Sequence, residues 1–198
     1  MIGRMGKPLF WLVLALPGLL MTASVIRGQS PAGDLLHPSG EMAIRLMIAA
    51  MLAGPLAGIF GANRFFRGWL AIRRNLGVAA FGYTMLHLVF YVIDKKLLVT
   101  IIEELALASI WTGWLALMLM AVPAAISFDL AIRKMGPRNW KAAQRLAYPS
   151  FLLSLVHWVL LEWHWQPALA HLLPLALAWL ALLIVRSRSR AARLSAVQ

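Results

Sequence analysis

The fold is decided by apolar runs such as residues 81–93, Phe-Gly-Tyr-Thr-Met-Leu-His-Leu-Val-Phe-Tyr-Val-Ile, whose one basic side chain is His87. Hydrophobic residues make up 62% of the chain and charged residues 13%, whereas about a quarter of the residues in an average soluble domain are charged. Because lipid offers no partners for backbone N–H and C=O groups, such runs are expected to cross a membrane as helices. We therefore predict an all-α integral membrane protein.

A membrane-spanning helix needs about 20 residues, and six apolar stretches reach or approach that length. We predict one membrane domain, residues 1–198, formed by a bundle of six transmembrane helices, with residues 186–198 as a basic cytoplasmic tail. Arg4 and Lys7 before the first stretch resemble the start of a signal peptide, but we expect a retained anchor. The predicted helices are approximately Pro8–Ile26, Met42–Phe60, Gly77–Ile93, Leu105–Ser127, Leu146–Leu161 and Pro167–Val185.

The formal net charge of +12 is distributed as in a membrane protein. Alternate ends of the predicted helices carry 15 of the 19 basic residues, so the positive-inside rule places the N- and C-termini in the cytoplasm. We predict a multi-pass protein of the bacterial inner (plasma) membrane, with membrane lipid as a partner and no nucleic acid. The chain has no cysteine, which excludes disulfides, iron–sulfur ligation and covalent heme attachment.

Two histidines are predicted to lie at the same depth in the membrane. His87 precedes Asp94 by seven residues, and His157 precedes His164 by seven. At 1.5 Å per residue each imidazole would lie about 10 Å below the outer membrane edge. Two histidines at one depth could ligate one heme iron from opposite faces, and that heme would be a non-covalent heme b. A hydrogen-bonded packing role or a proton relay remains an alternative for each histidine.

A family resemblance covers about residues 54–160. Residues 73–91, Arg-Arg-Asn-Leu-Gly-Val-Ala-Ala-Phe-Gly-Tyr-Thr-Met-Leu-His-Leu-Val-Phe-Tyr, resemble the third-helix signature of the ferric reductase-like transmembrane family. Further matches follow in order at 110–117, Ile-Trp-Thr-Gly-Trp-Leu-Ala-Leu, at 133–136, Arg-Lys-Met-Gly, and at 145–148, Arg-Leu-Ala-Tyr. The resemblance implies that His87 and His157 are the axial ligands of a heme iron. It also implies a membrane b-type cytochrome that relays electrons to a periplasmic oxidoreductase.

The chain departs from this family's pattern at two places. Where similar sequences carry a Leu-His pair after the tryptophan at position 140, this chain has Ala143-Gln144, 13 residues before His157. At 1.5 Å per residue Gln144 would lie about 20 Å nearer the cytoplasm. A Thr-Pro-Leu-Arg-Arg run is replaced by residues 54–58, Gly-Pro-Leu-Ala-Gly. These departures favour the quinone pool over a cytoplasmic flavin reductase as electron donor, although a flavin stays open.

Arg45 is the remaining charge inside a predicted helix, about four residues from its outer end. Its guanidinium could pair with a heme propionate or extend to the outer headgroups, and both readings stay open. We expect His37, His164 and His171 to form hydrogen bonds at the outer interface, although His164 and His171 could line a quinol site.

The predicted function is an electron-transfer subunit of an oxidoreductase system, with one heme in the outer half of the membrane. The alternative is a non-catalytic ferric reductase-like subunit that assembles or stabilises a larger membrane complex.

Overall fold

The computed structural model of the protein describes residues 6–195, and the secondary structure in that range is helical. Arg4 and residues 196–198 of the predicted tail lie outside the described residues. A short 3₁₀ helix at Ala32–Leu35 precedes the second α-helix. The α-helices are α1 Gly6–Ile26, α2 Leu36–Phe60, α3 Arg64–Lys95, α4 Leu98–Glu104, α5 Ala108–Ala125, α6 Asp129–Gln144, α7 Ala147–Glu162 and α8 Trp165–Ser195.

The prediction of an all-α membrane bundle is confirmed. Within the described residues, five helical segments are long and apolar enough to cross a membrane by length and composition, those containing α1, α2, α3, α5 and α8. The remaining predicted span, α7, has 16 residues, which corresponds to about 24 Å against a hydrocarbon thickness of about 30 Å. The cytoplasmic location of the termini stays a prediction.

The third predicted helix begins earlier than the apolar pattern indicated. The predicted start was Gly77, whereas α3 begins at Arg64 and has 32 residues. The Asn63 side chain accepts a hydrogen bond from the backbone N–H of Phe66 at 3.0 Å and so caps the helix. No proline follows in the helix to end it, so the polar residues after the cap continue the same helix rather than forming a loop.

Other helix bounds also differ from the prediction, and α2 begins at Leu36 rather than at Met42. The predicted Leu105–Ser127 helix is α5, Ala108–Ala125, and the separate short helix α4 precedes it. The basic segment before α7 folds as α6, in which Gly136 has φ 75° and kinks the helix. Residues 186–195 of the predicted basic tail are helical and continue α8, because arginine is a good helix former.

Two pairs of helices form the centre of the bundle. The most extensive contacts join α2 to α3 and α5 to α7, and α8 packs against α2. The buried core between them contains Ile44, Met47, Met120, Phe151 and Leu155. His87 lies on α3 and His157 on α7, so each helix pair contributes one histidine.

Helix α1 is attached to the bundle mainly through Tyr83 of α3. The Tyr83 hydroxyl accepts a hydrogen bond from the Gly18 N–H at 2.9 Å and donates one to the Leu14 carbonyl at 2.8 Å. In a regular α-helix the Gly18 N–H would donate to the Leu14 carbonyl, four residues earlier. The Tyr83 hydroxyl therefore bridges two backbone groups that one helical hydrogen bond would otherwise join. No residue in the apolar window of α1 is buried, as expected for a peripheral helix covered by lipid.

Candidate functional site

The two predicted histidines lie side by side in the folded chain. The ring centres of His87 and His157 are 6.3 Å apart, and their planes are inclined at 84°. Both line a cavity of about 310 Å³, which we call the histidine cavity. The remaining wall is largely apolar, with Ile44, Leu88 and Leu117 among its residues. The structure therefore brings together two imidazoles that the sequence separates by 70 residues.

Each imidazole is held by a backbone carbonyl of the neighbouring helix. Nδ1 of His87 lies 2.9 Å from the Leu36 carbonyl oxygen, and Nδ1 of His157 contacts the Ser109 carbonyl oxygen. A carbonyl can only accept, so Nδ1 carries the hydrogen in each ring. In the neutral imidazole Nε2 then keeps its lone pair, and this tautomer is the one that metal-binding histidines use.

A glycine makes room for each of these contacts. A Cβ atom added to Gly113 would lie 2.7 Å from Nδ1 and Cε1 of His157, and one added to Gly40 would lie 3.2 Å from Nδ1 of His87. Gly40 follows Leu36 by four residues, and Gly113 follows Ser109 by four. In a helix the side chain at i+4 leans back towards the carbonyl of residue i. Glycine at i+4 has no side chain and therefore exposes that carbonyl to the imidazole. We call this arrangement a glycine cradle, and it occurs at both His87 and His157.

Sequence reasoning missed these two cradles. Ser39 was also missed: it is fully buried, and its hydroxyl oxygen lies 3.4 Å from Nδ1 of His87. Gly113 does lie within the family-like run at 110–117. However, a glycine in an apolar helix gives no sign of which side chain will approach it from another helix.

Carboxylate–imidazole pairs lie at one end of the histidine cavity. His37 and Glu162 line this cavity and are 2.6 Å apart through Nδ1 and Oε1. Oε1 of Glu41, another lining residue, lies 3.5 Å from Nε2 of His171. The Trp158 ring lies between the two imidazoles, with centre distances of 5.3 Å to His37 and 5.1 Å to His171.

Arg45 does not line the histidine cavity. Its guanidinium pairs with Glu41 at 2.6 Å, and 56% of its side chain is exposed. The expected contact between Arg45 and a heme propionate is untested by this arrangement and stays a prediction. His164, the other outer histidine, is exposed, and its Nδ1 lies 2.6 Å from the Glu162 carbonyl oxygen.

Gln144 lines a second cavity of about 480 Å³, which we call the Gln144 cavity. Met47 and Met120 line both cavities. The sequence-based distance of about 20 Å between Gln144 and His157 assumed a single helix. Because α6 ends at Gln144 and α7 begins at Ala147, that assumption was wrong. The side chain expected at an inner site nevertheless lies in a cavity adjacent to the histidines.

Cationic side chains surround the Gln144 cavity. Asp129 forms an ion pair with Arg74, one of these cations, at 2.7 Å. The Arg74 guanidinium lowers the pKa of the Asp129 carboxyl. The cationic residues that line this cavity are Arg73, Arg74, Lys141, Arg145 and Arg186.

Comparison with known proteins identifies the family. The profile of the family described as ferric reductase like transmembrane component matches residues 39–155. That range includes His87 and ends two residues before His157. The match covers more than half of the chain, which agrees with the resemblance seen in the sequence.

Similar proteins from several bacteria carry the name protein-methionine-sulfoxide reductase heme-binding subunit MsrQ. The one from Rhizobium meliloti is 32% identical over 127 residues, which are 63% of this chain and 56% of that protein. The one from Yersinia enterocolitica is 31% identical over 167 residues, covering 77% of this chain and 78% of that protein. The one from Xanthomonas campestris is 32% identical over 174 residues, covering 85% and 78%. This chain is a multi-pass membrane protein and belongs to the ferric reductase-like transmembrane family.

Proposed function

We propose that the protein is a membrane electron-transfer subunit that binds heme b between His87 and His157. The distance between the two imidazole rings is the observation that carries this proposal. Metal–imidazole bonds are about 2 Å long, and the ring centre lies about 1.2 Å beyond the nitrogen. Two ligands on opposite sides of one metal atom therefore have ring centres about 6.4 Å apart, and the observed distance is 6.3 Å.

The hydrogen bonds of the two histidines support the same assignment. Carbonyl partners on Nδ1 leave each Nε2 as the ligating atom and fix the orientation of the ring. The apolar wall of the histidine cavity would surround the porphyrin. The heme supplies the one-electron redox change, while the chain supplies ligation, orientation and a low dielectric.

The names of the similar proteins support the wider role. We propose that the chain acts in the bacterial inner membrane, accepts electrons from the quinone pool and delivers them to a periplasmic oxidoreductase of the methionine sulfoxide reductase system. In this role it is one subunit of an electron-transfer system and not a complete enzyme.

Heme quantification tests the ligand assignment. The purified protein should show a b-type band in its reduced-minus-oxidised spectrum and contain about one heme per chain by the pyridine hemochromogen assay. His87→Ala and His157→Ala should each abolish heme retention. His171→Ala is the matched control, since His171 lies near the polar end of the cavity but away from the proposed iron, and it should retain heme. Wild-type protein without a b-type band, or ligand variants that keep full heme, would refute the proposal.

Electron transfer needs a separate measurement. Oxidised protein mixed with a quinol should develop the reduced b-type spectrum, and dithionite should give the full amplitude. A protein that binds heme but is not reduced by quinol would favour the alternative, a non-catalytic subunit that assembles or stabilises a larger membrane complex.

A further inference from the structure

The Gln144 cavity lies directly beside the histidine cavity. Met47 and Met120 belong to the walls of both, so a molecule in one cavity is separated from a molecule in the other by a single layer of side chains. Both methionines are buried, with exposures of 4% and 5%. A redox-active ring in the Gln144 cavity would therefore be close enough to exchange electrons with a cofactor at the histidines.

Hydrogen-bonding groups in the Gln144 cavity are free to bind a ligand. Nε2 of Gln144 donates to the Pro123 carbonyl oxygen at 3.0 Å and lies 3.4 Å from the Ser127 hydroxyl oxygen. Because the Pro123 carbonyl can only accept, it fixes the orientation of the amide. The Gln144 side-chain oxygen remains as an acceptor with no protein partner in the described part of the chain. The Tyr148 hydroxyl, also in this cavity, likewise forms no hydrogen bond to residues 6–195.

The wall around these groups suits a flat apolar ring. Trp140 is fixed by a hydrogen bond of 3.0 Å from Nε1 to the Ile126 carbonyl oxygen. The Trp179 ring lies 6.1 Å from the Tyr148 ring at an angle of 67°. The lining cations are exposed, except Arg74, which is paired with Asp129. The buried lining residues Met47 and Met120 are neutral.

We propose that the Gln144 cavity binds the ring of a quinol from the membrane pool, which rests on the proposed function. One quinol hydroxyl donates to the Gln144 side-chain oxygen, and the Tyr148 hydroxyl pairs with a ring oxygen. On oxidation to the quinone, the quinol would release two protons to water at the opening and two electrons, one at a time. The second electron would leave after the first has passed from the one-electron site at His87 and His157 to the periplasmic acceptor of the proposed function. The exposed cations stabilise the anion formed when the first proton leaves.

Binding of decylubiquinone, a short-tailed ubiquinone analogue, tests this site without using heme turnover. Quinones quench tryptophan fluorescence, and Trp140 and Trp179 line the cavity. The quenching titration is carried out on purified protein and repeated on heme-free His87→Ala protein. Gln144→Leu and Tyr148→Phe should each weaken binding about five- to tenfold, as expected for the loss of one hydrogen bond. Ser24→Ala, which removes a hydroxyl from α1 outside both cavities, is the matched control and should bind like wild type.

The outcomes separate this proposal from the heme proposal. Wild-type protein without heme that still shows Gln144-dependent quinone binding would refute only the heme site. Protein with normal heme content, whose quinone affinity is unchanged by both Gln144→Leu and Tyr148→Phe, would refute only the quinol site.

Competing ligands provide a further test. Displacement of decylubiquinone by inorganic phosphate, with no effect of Gln144→Leu, would mean an anion site and also refute the proposal. Gln144→Asn, which keeps the amide but shortens its reach, gives a second test if the leucine variant does not fold. It should weaken binding while leaving heme content unchanged.

Discussion

Gly113→Ala is the sharpest test of how the protein holds its histidines. The new methyl group would lie 2.7 Å from Nδ1 and Cε1 of His157, whereas ordinary carbon contacts are about 3.5–4 Å. The imidazole must therefore retreat by about 1 Å, which breaks its hydrogen bond to the Ser109 carbonyl. Overpacking of this kind destabilises a fold by about 1–3 kcal/mol. Loss of an outer-shell partner lowers metal affinity about 10- to 100-fold.

The assay is the rate at which heme leaves the purified protein for an excess of apomyoglobin. Gly113→Ala should release heme about 10- to 100-fold faster than wild type. Gly40→Ala should have a smaller effect, because its methyl group would lie 3.2 Å from Nδ1 of His87. Gly82→Ala is the control, since a Cβ there has no neighbour within 4 Å. Equal release rates for Gly113→Ala and Gly82→Ala would refute the claim that Gly113 allows the Ser109 carbonyl to position His157.

Three other predictions concern attachment and charge. Tyr83→Phe should weaken the attachment of α1 and destabilise the protein by about 1 kcal/mol. Limited proteolysis should then remove α1 more readily than from wild type, and unchanged proteolysis would contradict this role. Burial raises the pKa of the Glu104 carboxyl, but hydrogen bonds from Lys95 and a neighbouring tyrosine lower it by more, so the pKa lies below its usual range. A carboxyl with a lowered folded-state pKa stabilises the protein above its unfolded pKa and loses that effect as pH falls through the folded value. Thermal unfolding of Glu104→Gln should therefore lose part of the acid sensitivity of wild type, and identical pH profiles would count against this. Asp129→Asn should shift the unfolding temperature little, because the Asp129 side chain is 77% exposed and solvent screens its ion pair with Arg74; a large shift would mean a role beyond this pair.

The apolar pattern predicted most of the fold, and its errors have a common cause. Hydrophobic runs identify where a chain meets lipid, but a helix can continue past that boundary. The polar first half of α3 looked like a loop, although Asn63 carries a recognisable capping signal. The helix α6 was missed because its residues are basic and its kink at Gly136 interrupts the pattern.

Sequence reasoning paired the two histidines of the candidate site but did not find the groups that hold them. Equal spacing from the predicted membrane edge was enough to pair His87 with His157. The carbonyls of Leu36 and Ser109 lie 51 and 48 residues away from the histidines that they hold. Only the packing of α2 on α3 and of α5 on α7 brings them within reach. The Gln144 cavity was inaccessible to sequence reasoning for the same reason, since residues of α2, α3, α5, α6, α7 and α8 line it.

The division of the bundle into two helix pairs has a consequence for assembly. His87 is fixed by α2, its partner in the first pair, and His157 by α5, its partner in the second. Direct contacts between the pairs are far fewer than those within them. In a chain that binds heme as proposed, the iron would link the α2–α3 pair to the α5–α7 pair. Heme insertion would then complete the folding of the protein. In heme-free protein, a protease should cleave most readily in the segment that joins the two helix pairs.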